Sequence, residues 1–436
     1  MSPPNTVIRA SFAAARDQAL LAADPHAALI QAWTPSQGRV WVLSIGKAAL
    51  AMASAAQRQL RTEHASLAGG LILCPAPLSQ GVAATHLTSQ ALEILPCDHP
   101  LPTPRNMLAA QRVADWASAI PSADLLIVCL SGGGSAYLTS PAPGVSLEPL
   151  THLTQSLQQA GATIHELNAV RKHAEQLKGG RLGKLCPARV RVYVLSDVLG
   201  DAFDTIASGP FHPDSTTFAH CLAVLVAHSA EDIAPSITTL FQSGAQGDAP
   251  ETPKSWRELG REGRISHKVI ANNDAAIDGA RQALTQLGNT VLEVRRRVEG
   301  QAAELGMALA HTMLRSPPHP GPRAWVWGGE WVVNATGTPG VGGPSQELAL
   351  AWASVAAGAN NLHLMTFSTD GIDGPTPAAG AIVSGDTAAL LAHAGVDIHA
   401  ALAAHDSHHA LARIDALLRT GPTGTNVNHI LVGLAE

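Results

Sequence analysis

The sequence predicts an α/β fold built on a largely parallel sheet. Short apolar runs such as residues 40–45 and 125–130 alternate with longer Ala- and Leu-rich stretches of helical period, and this alternation is typical of strand–helix–strand units. Five predicted strand ends are followed by glycine beside Ser, Lys, Asp or Asn. With 436 residues, the chain is long enough for two or more domains, each with its own core.

The first predicted unit joins a strand to a helix through a lysine. The strand over residues 40–45 ends at Gly46 and Lys47, which open the helical stretch 48–60. The strand over residues 125–130 repeats this plan, but three consecutive glycines take the place of the Gly-Lys pair. Loops of this kind after a strand expose backbone N–H groups that can bind an anion.

The next predicted elements are a capped helix and a strand that ends in a carboxylate. Asn168 is predicted to cap a helix over residues 169–178, which two glycines terminate. A strand over residues 190–195 then ends at Ser196 and Asp197. Further strands are predicted over residues 268–271, 291–294, 324–327, 362–367 and 429–434.

A polar segment predicts the domain boundary. Residues 243–264 are rich in Gly, Glu and Pro, which disfavours regular structure. A strand–helix unit over residues 268–287 begins directly after this segment. The sequence therefore predicts one domain over residues 1–242 and a second over residues 265–436, joined by this linker.

Composition excludes several classes of protein. Hydrophobic residues make up 46% of the chain and charged residues 14%, which indicates a globular protein rather than a disordered one. The net charge of −6 gives no basic surface for nucleic acid. Five scattered cysteines without a Cys-x-x-Cys pair favour a reducing cytoplasm over a disulfide framework. No apolar signal core is found in residues 1–16, so neither export nor a membrane partner is expected.

The glycine-rich loop is predicted to bind phosphate. Three adjacent glycines cost backbone entropy that a plain turn does not need, although a structural tight turn is the alternative. No Gly-x-Gly-x-x-Gly or P-loop pattern occurs, so neither a dehydrogenase fingerprint nor a Walker site is supported. The loop consists of Ser131, Gly132, Gly133, Gly134 and Ser135.

Three cations are candidates for the same anion. Lys47 lies at a helix start, where the helix dipole disfavours a cation, so a ligand role competes with that of a surface lysine. Arg171 and Lys172 follow Asn168 at the predicted start of the next helix, and a bound anion explains two adjacent cations there.

Four carboxylates are candidates for a metal or a nucleotide. Asp197 and Asp201 bracket a turn at the carboxyl end of a strand, where open α/β sheets place ligands, and we expect them to hold a divalent cation. Asp370 and Asp373 are three residues apart with glycine on each side and are expected to contact the cofactor. Asx turns and helix caps are the alternative for all four.

The chain resembles the class II, MOFRL-type glycerate 2-kinases over nearly its whole length. Where that family commonly has an arginine, this chain has Pro344, and the acidic residue that usually follows His-Pro-x-Pro is replaced by Thr103. The matching stretches are residues 46–48, 99–102, 131–135, 168–173, 178–182, 196–201, 206–210, 342–347, 369–376 and 421–428.

The resemblance implies a fold and an activity. The fold is a large Rossmann-like α/β domain with a mainly parallel sheet plus a second α/β domain, with the active site in the cleft between them. The activity is transfer of the γ-phosphoryl of ATP to the 2-hydroxyl of D-glycerate, with Mg²⁺. NAD(P)H-dependent hydroxypyruvate reduction is the alternative, and the missing dinucleotide fingerprint argues against it. A non-catalytic binding protein is a further alternative, and the oligomeric state stays open, with a homodimer among the options.

The resemblance also assigns roles within the expected site. Lys47 and Arg171 are expected to contact the transferring phosphate or the substrate carboxylate, and Asp197 to hold the metal or orient the attacking hydroxyl. Glu347, in the motif that contains Pro344, is expected to contact the nucleotide, as are Asn168 and Lys172.

Overall fold

The computed structural model describes residues 6–76, 91–317, 319–334 and 340–436. The chain divides into two compact units. The first unit is Pro25–Ile270, and the second joins the described residues up to Asp24 to Ala271–Glu436. Each unit contains one six-stranded sheet, so the predicted α/β class is confirmed.

The described residues form twelve strands and sixteen α-helices. The strands are β1 (Arg39–Ile45), β2 (Ser66–Pro75), β3 (Leu92–Cys97), β4 (Leu125–Leu130), β5 (Arg189–Leu195), β6 (Ile265–Ala271), β7 (Thr290–Gln301), β8 (Arg323–Val332), β9 (Leu362–Ser368), β10 (Gly380–Ser384), β11 (Leu417–Leu418) and β12 (His429–Ala435). The helices are α1 (Thr6–Ala22), α2 (Pro25–Ala32), α3 (Ala49–Thr62), α4 (Pro104–Ser118), α5 (Gly134–Tyr137), α6 (Leu147–Gln159), α7 (Ile164–Ala174), α8 (Arg181–Leu185), α9 (Phe218–Ala227), α10 (Pro235–Gln246), α11 (Asn273–Gln286), α12 (Ala302–Leu314), α13 (Pro344–Val355), α14 (Thr387–His393), α15 (Ile398–Ala403) and α16 (Ser407–Ala412). None of these helices is long and apolar enough to span a bilayer.

The sheet of the first unit has the strand order β3-β2-β1-β4-β5-β6. Strands β1 to β5 are paired in parallel, and all six residues of β4 are buried, as expected for a parallel sheet covered on both faces. The chain runs outward from β1 through β2 to β3 and then resumes at β4 on the other side of β1. Doubly wound sheets bind ligands beyond the carboxyl ends of the strands at such a reversal.

The sheet of the second unit is mixed. Its order is β11-β10-β9-β12-β8-β7, with an antiparallel pairing everywhere except between β7 and β8. Its core contains four tryptophans that are at most 1% exposed, which are Trp325, Trp327, Trp331 and Trp352. Helix α1 packs against α11 in this unit, and a Cβ on Gly279 would lie 2.4 Å from the carbonyl oxygen of Gln18.

The observed division of the chain differs from the predicted domain boundary. Residues 243–264, predicted as a linker, belong to the first unit, and β6 extends its sheet. Leu259 is buried in the core of this unit, and the guanidinium of Arg264 donates to the carbonyl oxygens of Cys186 and Ala188 at 2.6 and 2.7 Å. The polar composition of the segment therefore serves buried hydrogen bonds rather than a solvated linker.

The helix predicted over residues 169–178 is wrong in its bounds. Helix α7 begins five residues earlier, at Ile164, because Thr163 and Glu166 form a capping box in which each side chain accepts a hydrogen bond from the backbone N–H of the other. Asn168 is therefore inside the helix, not at its N-terminus. Arg171 lies in the last turn, where the helix dipole favours a cation, so the predicted conflict with the dipole does not exist.

Candidate active site

The loops that follow β1 and β4 are held together by hydrogen bonds. The backbone N–H of Lys47 donates to the carbonyl oxygen of Gly132 at 2.9 Å, and that of Ala48 donates to Ser131 Oγ at 3.0 Å. Gly46 has a φ of +121°, and a Cβ there would lie 2.3 Å from Ser131 Oγ. Only glycine permits this approach. The backbone N–H groups of Lys47 and Ala48 thus position the glycine loop.

The glycine loop presents backbone donors that the protein does not use. Within the described part of the chain, no protein acceptor is found for the N–H groups of Gly132, Gly133, Gly134 and Ser135. Gly133 has a φ of +87° and precedes the short helix α5. Successive unpaired N–H groups next to a left-handed residue form a concave site for an anion.

A cavity of about 440 Å³ lies beside this loop, within the first unit. Gly133 and Ser135 form one side, the segment 99–102 forms another, and helices α6 and α7 supply the rest. His99 lines the cavity, with its ring 5.8 Å from that of Tyr137.

Three charged side chains line the cavity, and one of them makes no hydrogen bond within the described part of the chain. The ammonium of Lys178, 1% exposed, is hydrogen-bonded to Glu175, whose other carboxylate oxygen accepts the N–H of Ser140 at 3.0 Å. The guanidinium of Arg171 makes no hydrogen bond to any residue that the structure describes. Burial lowers the pKa of Arg171, against the opposing effect of the Glu175 charge. The cavity lining thus carries one positive charge in excess and suits a monoanion.

A chain of hydroxyl groups fixes the direction of the Ser135 hydrogen bond. Ser208 Oγ donates to Asn168 Oδ1 at 3.0 Å and lies 2.6 Å from Ser135 Oγ. Because the single proton of Ser208 is committed to Asn168, Ser135 must donate to Ser208. Its oxygen therefore offers only lone pairs to the cavity. Ser208 and Ala207 both have positive φ values, 58° and 51°, which is strain of the kind stored at functional sites.

Lys172 and Asn168 do not fit the predicted contact with a nucleotide. Lys172 is 2% exposed, and its ammonium pairs with Asp214 at 3.1 Å and Asp204 at 3.5 Å. Asn168 is 3% exposed and bonds to Ser208. Both side chains are consumed by contacts inside the protein, so they stabilise α7 and the segment packed against it.

The two aspartates predicted to bind a metal follow β5. Asp197 and Asp201 are both partly exposed, and Asp201 has a φ of +57°. Strand β5 is two strands from β1 across β4, which is a distance of about 10 Å in a sheet. The described residues contain no cluster of three or more His, Cys, Asp or Glu side chains suited to a metal. Mg²⁺ is usually bound by one or two carboxylates together with substrate phosphates, so the metal role of Asp197 and Asp201 stays a prediction.

Comparison with known proteins assigns the family. The sequence matches a domain of unknown function, DUF4147, over residues 4–242 and the MOFRL family over residues 323–429. A Pyrococcus horikoshii protein named glycerate 2-kinase is 33% identical over 96% of this chain and 95% of its own length. A Thermotoga maritima protein named D-glycerate 2-kinase is 37% identical over 91% of this chain and 90% of its own. The chain belongs to the class II, MOFRL-type glycerate 2-kinase family.

A solved structure supports the same conclusion. The crystal structure of glycerate kinase from Thermotoga maritima superimposes with a TM-score of 0.82 and 35% sequence identity, covering 97% of this chain and 98% of that one. The predicted Rossmann-like architecture of the first unit is thus shared with a glycerate kinase.

In the second unit of this glycerate 2-kinase family member, the predicted site residues Asp373 and Glu347 are engaged in contacts within the protein. Asp373 is 1% exposed, and its carboxylate accepts the N–H groups of Ser345 and Gln346 at 2.9 Å, which caps α13. Glu347 is 5% exposed and pairs with His405 at 2.9 Å. The predicted contacts of Asp373 and Glu347 with a nucleotide do not fit this burial.

Asp370 and Pro344 complete the motifs of the second unit. Asp370 Oδ1 accepts the hydroxyl of Ser368 at 2.7 Å and the N–H of Ile372 at 3.0 Å, which forms an Asx turn. Pro344 begins α13, a position where proline is favoured because its missing N–H would have no helical partner. The arginine common in the family is therefore replaced by a residue that suits the helix start and supplies no charge.

Three parts of the site were given no role from the sequence. Ser208 is 73 residues from Ser135, and its positive φ has no sequence signal because it is not a glycine. Glu175 and Lys178 lie beyond the end of α7 at Ala174, where the sequence predicted that the helix continues to residue 178. The cavity side of α6 carries polar residues at helical spacing, a pattern that ordinarily indicates a solvent-facing surface.

Proposed function

We propose that this protein is a glycerate 2-kinase that transfers the γ-phosphoryl of ATP to the 2-hydroxyl of D-glycerate, giving 2-phosphoglycerate and ADP. The observation that carries the proposal is the junction of the Lys47 loop and the Ser131–Ser135 loop at the carboxyl ends of β1 and β4. A lysine, a run of unpaired N–H groups and a monoanion cavity meet there. The names of the relatives in Pyrococcus and Thermotoga support the choice of substrate.

The proposed chemistry needs positioning and charge neutralisation more than a base. Phosphoryl transfer leaves little covalent chemistry to the protein, so the acceleration comes from groups that face the developing charge. Lys47 supplies a cation at the junction, and the N–H groups of Gly132 to Ser135 hold phosphate oxygens. Arg171 binds the carboxylate of glycerate, and Ser135 accepts the hydrogen bond of the attacking hydroxyl.

Asp197 and Asp201 are the residues proposed to hold Mg²⁺. When bound, the ion neutralises phosphate charge and aligns the phosphoryl oxygens. The five cysteines are free and buried, which supports a reducing cytoplasm as the compartment.

The activity is tested by measuring ADP release from ATP with D-glycerate and Mg²⁺. We expect ADP and 2-phosphoglycerate in equal amounts, with the position of the phosphate assigned by ³¹P NMR of the product. Removal of Mg²⁺ by EDTA should stop the reaction. Oxidation of NADH with hydroxypyruvate in the absence of ADP release would instead establish a reductase, and binding of glycerate without turnover would establish a binding protein.

A further inference from the structure

The cavity is larger than the acceptor that the proposed function places in it. Its volume of about 440 Å³ equals the space of about 15 water molecules at roughly 30 Å³ each, and D-glycerate has about half as many heavy atoms. Arg171 and Ser135 account for the carboxylate and one hydroxyl. The remaining volume lies against α6.

One face of α6 lines this remaining volume with polar groups. The residues that face the cavity recur at helical spacing, and all but the first are polar. Thr154 already donates its hydroxyl proton to the carbonyl oxygen of Leu150 at 2.8 Å and retains lone pairs. The residues are Leu150, Thr151, Thr154, Gln155 and Gln158.

Some of these polar groups have no partner in the protein. Thr151 Oγ1 is buried and makes no hydrogen bond to any described residue. The amides of Gln155 and Gln158 likewise make none within the described part of the chain. A buried hydroxyl without a partner is destabilising unless a ligand or water satisfies it. Donors and acceptors in one row match a chain of hydroxyl groups.

We propose that the α6 face binds the distal hydroxyls of sugar acids longer than D-glycerate, so that the acceptors of this site include four-carbon to six-carbon aldonates. The inference rests on the proposed function for the reacting end of the molecule. The carboxylate pairs with Arg171, the reacting hydroxyl donates to Ser135 Oγ, and the remaining hydroxyls lie along Thr151 and Gln155.

The reaction itself is unchanged. The bond between the γ-phosphorus and the oxygen bridging it to ADP breaks, a bond between that phosphorus and the acceptor oxygen forms, and the hydroxyl proton passes to water. An acceptor needs a carboxylate to bind well, because the cavity lining has one uncompensated positive charge. A polyol of the same length without a carboxylate is therefore a poor acceptor.

The first experiment compares acceptors by ADP release with the full-length protein. The probes are D-glycerate, D-erythronate, D-gluconate and the uncharged polyol erythritol. We expect kcat/KM for D-erythronate and D-gluconate within about 30-fold of that for D-glycerate. Binding pockets commonly discriminate between substrates that differ by a small group by a factor of this order. Values for both acids below that limit, or an erythritol value equal to that of D-erythronate, would overturn the inference.

The second experiment places the longer acids on α6. Gln155→Trp fills the distal cavity, and Thr151→Val removes the orphan hydroxyl with little change in shape. In each variant the ratio of kcat/KM for D-gluconate to that for D-glycerate should fall about tenfold or more, a loss typical of an unpaired polar contact. Gln159→Trp is the matched control because Gln159 is an exposed residue of the same helix outside the cavity. An unchanged ratio in both cavity variants contradicts the proposed placement.

A binding measurement distinguishes failure of the proposed kinase function from failure of the acceptor inference. If no acid yields ADP, the kinase assignment falls, and the acceptor inference is then decided by isothermal titration of D-gluconate. Binding to the wild type that Gln155→Trp weakens and Gln159→Trp does not supports the α6 site. Absence of D-gluconate binding to the wild type overturns it.

Discussion

Arg171 and Lys172 are neighbours on α7, and we expect their replacement by methionine to have opposite effects. Arg171 lines the cavity and makes no hydrogen bond to the residues that the structure describes, whereas Lys172 is buried against Asp214. Arg171→Met removes a charge-assisted contact with the substrate carboxylate that contributes about 1.5–3 kcal/mol, which corresponds to a loss of about 10- to 150-fold in kcat/KM. Because burial disfavours the Arg171 cation, as its lowered pKa shows, the free energy of unfolding should not fall.

Lys172→Met leaves Asp214 buried without its cation. The Asp214 side chain is 0% exposed and keeps partners such as Thr252 Oγ1 at 2.9 Å and His173 Nδ1 at 3.9 Å. Removing one member of a buried ion pair costs about 3–5 kcal/mol, and domains of this size lose about 2–4 °C in Tm for each kcal/mol. We therefore expect Tm to fall by about 6–20 °C, while kcat/KM measured well below Tm changes less than about threefold.

The assays are ADP release with D-glycerate and thermal unfolding followed by circular dichroism. Lys184→Met is the control, since Lys184 is an exposed cation of the same unit, and it should change neither quantity. A large loss of kcat/KM in Lys172→Met with an unchanged Tm would restore the predicted ligand role of Lys172 and refute the reasoning from burial.

Three further changes test other features of the structure. Lys47→Ala should lower kcat/KM by about 100-fold or more and leave Tm unchanged, because it removes a preorganised charge that stabilises the transition state. A kcat/KM near that of the wild type would exclude Lys47 from the mechanism. Gly46→Ala places a Cβ 2.3 Å from Ser131 Oγ at a φ of +121°, so both Tm and kcat/KM should fall. The control is Gly144→Ala, at a position with a positive φ and open space, which should cost only the backbone strain of about 1–3 kcal/mol. Equal losses in the two variants would show that the contact with Ser131 does not matter. Burial raises the pKa of Asp373 from 3.8 to about 6, so the protonated carboxyl favours the folded state. The contribution of this group to the free energy of unfolding should therefore decrease by about 3 kcal/mol as pH rises from about 4 to about 6. Asp373→Asn should abolish that slope in urea unfolding measured across this range, and an identical slope in the variant would contradict the assignment.

The sequence was sufficient for the buried strands and for the loops that follow them. Strand β4 coincides with the predicted run 125–130, because a strand covered on both faces must be apolar throughout. The glycine loop and Lys47 were predicted as site residues because glycines at a strand end have few other uses, and this assignment stays a prediction. Their contact with each other depends on the strand order, which local sequence does not encode.

The predicted ligand roles of Lys172 and Asp373 took no account of partners that are distant in the sequence. Lys172 and Asp373 were predicted as ligands because each is charged and no partner is evident near it in the sequence. Their partners are distant in the chain, since Asp214 is 42 residues from Lys172 and Ser345 is 28 residues from Asp373. The pairing of charges across such separations is set by packing. The same limit explains the domain boundary, because the polar residues of 243–264 are satisfied by groups in other parts of the first unit.

The packing of α1 against α11 has a consequence for synthesis on the ribosome. The second unit takes its first helix from the start of the chain and the rest from residues after 270. The strands and helices of the first unit emerge in one continuous stretch and can fold as soon as they leave the exit tunnel. Helix α1 must wait, with its apolar face uncovered, until α11 has been translated about 250 residues later, at roughly 5–20 residues per second. A chaperone that binds short apolar helices should therefore bind stalled nascent chains that end before residue 273 and release those that extend beyond β12.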